Sequence, residues 1–153
     1  MTRNNLALLA AAGSAGLLLG ALAFQYIGGL APCVLCIWQR WPHLAALILA
    51  AVFLWRGGSV WAVLAALAAL SSAGIGVFHV GVEQGWWQGL AQCSVDTLAN
   101  VSTADLLNTD ITVGAPAACD KVAWSMFGIS MAGYNVISSG LIAGLWAMVA
   151  RRG

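Results

Sequence analysis

Four long apolar runs divide the chain, at 6–24, 37–55, 60–82 and 128–149. Each approaches the roughly 20 residues a helix needs to cross the hydrocarbon core of a bilayer. The first and fourth runs carry no charge, the third has only His79 as a titratable group, and the second holds Arg40 and His43 near its start. Gly, Ala and Ser recur along all four, which suits close helix–helix packing in lipid. The connections are unequal. Gly28-Gly29-Leu30-Ala31-Pro32 joins the first two runs and Arg56-Gly57-Gly58 the next two, whereas the third and fourth are separated from Glu83 to about Trp124. A loop of that length is usually functional. Inside it Thr103 can cap a short turn through Ala104-Asp105-Leu106-Leu107, which Gly114-Ala115-Pro116 would break. The pattern predicts an all-α integral membrane protein. A single domain over 1–153 forms a four-transmembrane-helix bundle, with a short loop over about 25–36 and a long one over about 83–127.

Composition agrees. The chain is 61% hydrophobic and 7% charged, with a mean hydropathy of +0.89, whereas soluble domains are about 25% charged. So few charges cannot cover a water-facing surface, so the solvent is a lipid bilayer. A net charge of +1 gives no sign of a nucleic-acid partner. Trp38, Trp41, Trp86 and Trp87 read as interfacial anchors. Arg3, Arg56, Arg151 and Arg152 fall at the N-terminus, the second turn and the C-terminus, which four spans place on one side. Glu83, Asp96, Asp105, Asp110 and Asp120 fall in the long loop, with Lys121 its lone basic residue. Excess Arg and Lys marks the cytoplasmic face. The expectation is a multi-pass protein of the bacterial inner membrane, with both termini cytoplasmic and the 25–36 and 83–127 loops periplasmic. A cleaved signal peptide would also begin with Arg3 and an apolar run, but its core is about 7–15 residues, shorter than the run here.

All four cysteines fall on the outer side, where disulfides persist. Cys33 and Cys36 form a C-x-x-C pair at a helix start. Residues i and i+3 share a helix face, so the two sulfurs can meet. The partial positive charge of a helix N-terminus favours thiolate, the species that attacks disulfides. Pro32 suits the first helical turn, where its missing N–H is harmless. Taken alone the motif is weak. With Cys93 and Cys119 it could make a four-thiolate zinc site, but structural zinc sites usually show two tight pairs. Here the second pair is far apart in sequence, so redox chemistry is preferred and no metal is expected. Cys93 and Cys119 could also be only a structural staple, contributing roughly 3–4 kcal/mol through chain entropy.

Arg40 follows Cys36 by four, on the same helix face and one turn deeper. An Arg at the bilayer centre costs roughly 2.5–3.5 kcal/mol on insertion scales. It either snorkels to the headgroups, or supports a Cys36 thiolate and hydrogen-bonds the carbonyl of a lipid-soluble redox cofactor. His43 reads as packing or interfacial, and Glu83 as a charge at a helix end.

Pro32-Cys33-Val34-Leu35-Cys36-Ile37-Trp38-Gln39-Arg40 resembles the active-site segment of the disulfide bond formation protein B (DsbB) family. Cys119-Asp120-Lys121-Val122-Ala123-Trp124, followed by Phe127-Gly128-Ile129-Ser130-Met131, resembles its second loop cysteine and the start of its fourth span. The likeness covers the four-span layout, and all four cysteines have counterparts. The handling of periplasmic thiols through such a protein and quinone is itself a known worked system. The resemblance implies a quinone-dependent protein-disulfide oxidoreductase. It would reoxidise a periplasmic DsbA-like thioredoxin-fold protein and pass electrons to the membrane quinone pool, as ubiquinone or menaquinone. Cys33, Cys36, Cys93 and Cys119 are then catalytic, with Cys36 and Arg40 at the quinone. A soluble partner can reach Cys93 in the aqueous loop, whereas Cys33 and Cys36 lie near the bilayer where a quinone ring can stack. The partner therefore attacks Cys93, Cys119 attacks Cys33, and Cys36 is freed toward quinone, the order the resemblance also assigns.

The sequence departs from the best-studied family pattern at the end of the third span. That pattern has His directly after Glu, whereas this chain has Glu83-Gln84 with His79 a turn earlier, so no role for that His carries over. Proton handling by His43, His79 or Glu83 stays open. Other classes considered are a vitamin K epoxide reductase-like enzyme, whose active pair usually lies late in the bundle, and a non-enzymatic subunit with structural disulfides or zinc. A transporter is disfavoured because no paired charges lie mid-membrane.

Overall fold

The computed structural model describes residues 1–90, 93 and 117–152. Four helices carry the chain: α1 (Arg3–Tyr26), α2 (Val34–Arg56), α3 (Ser59–Glu83) and α4 (Met131–Arg151). At 1.5 Å per residue they are about 31–38 Å long, enough to cross a hydrocarbon core of about 30 Å. All four are long and apolar enough to cross a membrane. The first two begin ahead of their apolar runs, where the local sequence supplies caps. The Thr2 side chain accepts from the Asn5 N–H at 3.2 Å, and Cys33 Sγ accepts from the Cys36 N–H at 3.1 Å. Such caps satisfy main-chain donors that have no partner inside the helix.

The fourth helix starts later than the apolar run suggests. Ser125–Met126 (β1) and Ile129–Ser130 (β2) pair antiparallel. Phe127 and Gly128 form the turn between them, both with positive φ (51° and 77°). A two-residue hairpin turn needs that backbone twist. Ser130 then caps α4 by accepting from the Gly133 N–H at 3.2 Å. The Thr103 turn, the break at Gly114-Ala115-Pro116, and Asp96, Asp105 and Asp110 lie outside the described residues.

The helices pack in a ring. α1 contacts α2 and α4, and α3 contacts α2 and α4, with α3–α4 the most extensive pair. Gly76 permits that pairing: a Cβ there would meet Val136 Cγ2 at 2.8 Å. Many large apolar side chains point outward, among them Leu19, Ile48, Leu67 and Leu141. That is the arrangement expected where lipid is the solvent. Among the described residues the bundle is all-α apart from its small hairpin.

Inside, the two ends differ. Near the termini, Leu6, Ala7, Ala10, Phe53, Ala62, Ala65, Ile142 and Trp146 belong to one apolar core. Trp146 is fully buried and meets Phe53 edge-on at 5.9 Å. Arg3 lies over the Phe53 ring at 4.8 Å and donates to the Val149 carbonyl and the Ser59 hydroxyl. At the other end Cys33, Leu35, Val82, Cys93 and Cys119 form a second core. Between them lies a layer of polar side chains.

Candidate functional site

The cysteine end is built from three places in the chain. The start of α2 supplies Cys33 and Cys36, the end of α3 supplies His79 and Glu83, and the following segment supplies Cys93 and Cys119. Cys93 and Cys119 are joined by a disulfide, with their Cα atoms 4.8 Å apart. The Cys119 N–H also donates to the Cys93 carbonyl at 3.1 Å. Because these two sulfurs bond each other, the four-thiolate zinc arrangement does not form. Cys33, Cys36 and His79 do offer three possible ligand atoms within 4.8 Å of one another.

Cys33 and Cys36 are free thiols. Their sulfurs are 2.7 Å apart, with Cys33 donating. That shared hydrogen bond, followed by burial, pushes the Cys33 thiol well above its ordinary range. Cys33 is almost fully buried and packs in the same cluster as the Cys93–Cys119 disulfide. Cys36 is half-buried and opens the other way, into a cavity.

That cavity, about 260 Å³, lies between α1, α2 and α4 with His79 of α3 at its edge. Phe24, Trp124 and Tyr134 supply aromatic walls: Phe24 and Trp124 rings are 5.2 Å apart, and Trp124 and Tyr134 6.0 Å. Arg40 lines the same cavity as Cys36. Its Nη1 donates to Gln25 Oε1 at 2.6 Å, while its Nε is buried with no acceptor. Burying such a donor without a partner is costly. Part of the Arg40 guanidinium is thus buried inside the protein.

Several side chains take places the sequence reading did not assign. Glu83 is not simply a charge at a helix end. Its side chain is 4% exposed, its Oε1 is 3.8 Å from His79 Nε2, and its Oε2 is buried without a partner. The end of α3 tucks under the Trp87 segment, which covers it. His43 is buried in the bundle rather than interfacial, beside Ser14, Asn135 and Ser139 at 3.3, 3.2 and 3.0 Å. Trp38, Trp41 and Trp86 are exposed. Trp87 is exposed as well, and it also stacks on Phe78 and donates to its carbonyl at 2.9 Å.

Ser72 and Asn135 had no place in the sequence reading, Gln39 appeared there only within the C-x-x-C segment, and His79 only as an open candidate for proton handling. Gln39 and Asn135 were detectable as polar residues inside apolar spans, where such groups face the bundle interior. His79 Nε2 lies 3.6 Å from Cys33 Sγ, and its Nδ1 lies 3.0 Å from Gln39 Nε2.

With this geometry in hand, comparison with known proteins is specific. The family described as Disulfide bond formation protein DsbB matches residues 3–149. Disulfide bond formation protein B of an Acidovorax species is 30% identical over 99% of this chain and 88% of its own length. The protein of that name from Aromatoleum aromaticum is 33% identical, over 84% of this chain and 81% of its own. That from Methylococcus capsulatus is 33% identical, over 80% and 79%. No solved structure matches. The match is to this family, and the vitamin K epoxide reductase-like alternative is set aside. Four membrane-crossing helices with two juxtaposed cysteine pairs are thus a multi-pass member of the disulfide bond formation protein B family.

Proposed function

We propose that this disulfide oxidoreductase reoxidises a periplasmic thioredoxin-fold dithiol oxidase of the DsbA type and passes the electron pair to membrane quinone. The observation that carries the reading is the opposite outlook of the two C-x-x-C sulfurs. Cys33 packs with the Cys93–Cys119 disulfide, and Cys36 opens on the cavity that holds Arg40. One pair can therefore exchange with the loop while its other member faces lipid.

The cavity residues fit a quinone head group. The orphaned Arg40 Nε is a donor awaiting a carbonyl oxygen, and Phe24 and Trp124 offer ring faces for stacking. A bound ubiquinone or menaquinone would supply the oxidant, taking two electrons and two protons. The protein's own steps are exchanges. The cycle starts from the form in which Cys33 and Cys36, free thiols here, are joined by a disulfide. The partner thiolate attacks Cys93 and frees Cys119, which attacks Cys33, breaks the Cys33–Cys36 bond and releases Cys36 as thiolate beside the cavity. Each step forms one sulfur–sulfur bond and breaks one through a mixed disulfide. The burial of the Cys33 sulfur among apolar neighbours keeps water from the exchange.

The sidedness follows from charge. Arg3, Arg56, Arg151 and Arg152 come together at one end of the bundle, and we place that end in the cytoplasm. An impermeant maleimide applied to cells with a permeable outer membrane would then label reduced Cys93; labelling only after inner-membrane lysis overturns this orientation. The exchange order is tested by Cys119→Ser. Without the internal thiol that resolves it, a disulfide-linked complex between Cys93 and the partner accumulates on non-reducing gels. A partner adduct that maps to Cys33 in the unaltered protein would refute the order.

A further inference from the structure

The polar layer has a single donor–acceptor sense, set by groups that can act in only one way. Gln39 Nε2 is 3.1 Å from the Leu35 carbonyl, which only accepts, so the amide's amino group must lie there. Its second hydrogen points to His79 Nδ1 at 3.0 Å. Gln39 Oε1 accepts from Asn135 Nδ2 at 2.7 Å. Asn135 is oriented in turn by the Ser72 hydroxyl at 3.1 Å, which is committed as a donor to the Gln39 carbonyl at 3.0 Å. His79 Nδ1 is therefore an acceptor. In the neutral ring the only proton sits on Nε2. That nitrogen faces Cys33 Sγ at 3.6 Å and Glu83 Oε1 at 3.8 Å, and the Cys119 main chain adjoins the same ring.

We propose that His79, locked by Gln39 in its Nε2–H tautomer, is a further catalytic residue: it donates a hydrogen bond to the Cys33 sulfur as that sulfur leaves Cys119. The inference rests on the exchange order proposed above. In the step concerned, the partner's second thiolate has resolved the mixed disulfide and released Cys93, and the Cys93 thiolate attacks Cys119 of the Cys33–Cys119 bond. The Cys93–Cys119 bond forms, the Cys33–Cys119 bond breaks, and Cys33 departs as thiolate with the bonding pair. No external oxidant or reductant enters, and the number of thiolates is unchanged. His79 keeps its proton throughout, so it acts as a donor to developing charge and not as a base. Gln39 is a positioning residue: it touches neither cysteine pair, and acts by fixing which ring nitrogen bears the proton.

The first test needs no substitution and no quinone. In histidine-labelled protein in detergent, ¹⁵N NMR of the reduced Cys33–Cys36 form should give His79 a pyrrole-like Nε2 and a pyridine-like Nδ1. The reverse tautomer would overturn the proposal. Gln39→Leu should convert that pattern into a mixture, and an unchanged pattern would remove Gln39 as the lock. The second test follows conversion of the Cys33–Cys119 species to the Cys93–Cys119 disulfide by rapid acid quench. A hydrogen bond to a charged group changes rates by about tenfold or more, so His79→Ala should slow this step about tenfold. His79→Gln, which retains a donor, should recover part of the loss. An undiminished rate in His79→Ala would sink the donor role even with exchange intact. If the unaltered protein forms no Cys33–Cys119 species, the exchange order itself fails, a result distinct from a wrong tautomer.

Discussion

The two ends of this bundle are packed from the same four helices by different means. Near the termini the core is small and apolar: Ala7, Ala10, Ala62, Ala65 and Ala69 are almost wholly inaccessible, and Trp146 fills the space they leave. Packing fills that core, and Arg3 adds hydrogen bonds to the Val149 carbonyl and the Ser59 hydroxyl beside it. At the cysteine end the interior holds Gln39, His43, Ser72, His79, Asn135 and Ser139, almost all joined by directional hydrogen bonds. Lipid is as apolar as Leu, so helix association gains little from hiding apolar surface and depends on close packing and polar contacts. The first end uses packing to hold the helices together. The second spends its polar contacts on orienting groups around two cysteine pairs and a cavity; it leaves Arg40 Nε and Glu83 Oε2 without partners, as the first leaves Trp146 Nε1.

Substitutions at the two ends should therefore separate function from stability. Cys36→Ser has the largest expected effect. Quinone reduction, followed by quinone absorbance, should fall to background while the Cys93 adduct with the partner still forms and helix content is unchanged. Residual quinone reduction would place the electron exit elsewhere. At the opposite end, Trp146→Ala should spare quinone kinetics but lower stability. Trp→Ala in soluble cores costs about 3–5 kcal/mol. Since the lipid reference removes much of the transfer contribution, about 2–3 kcal/mol is expected here. Thermal unfolding in detergent would measure it, and a loss of quinone affinity with full stability would erase the contrast. Arg40→Ala should act more modestly and oppositely. Losing one charge-assisted hydrogen bond should raise the apparent quinone KM about tenfold with little change in unfolding temperature. Unchanged quinone kinetics would return Arg40 to a headgroup-seeking role.

The architecture was legible in the sequence because lipid imposes a one-dimensional signal. A run of apolar residues long enough to span must become a helix, since every main-chain group needs an internal partner. The C-x-x-C pair was legible for a similar local reason. Pro32, the cysteine spacing and the start of an apolar run all lie within one helical turn. The start of α4 was less clear, because Phe127 takes a positive φ that ordinary residues seldom adopt, and the apolar run passes through that turn without a break. The His79–Cys33 contact could not be read at all: the two residues are 46 positions apart and belong to different helices. Nor could the burial of Glu83, which depends on how the segment after α3 folds back.

What the sequence by itself determined is the number of spans, the end at which each cysteine lies, and the place of Arg40 one helical turn beyond Cys36. Those follow from local periodicity, composition and charge, which need no knowledge of neighbours. Tertiary structure alone decided which sulfur packs against the Cys93–Cys119 disulfide and which opens on the cavity, and it decided that His79 lies between Gln39 and Cys33. Both depend on how α2, α3 and α4 are rotated about their axes. That rotation is set where Gly76 lets α3 approach α4 and where Gln39 meets Asn135, contacts between residues that no local pattern links.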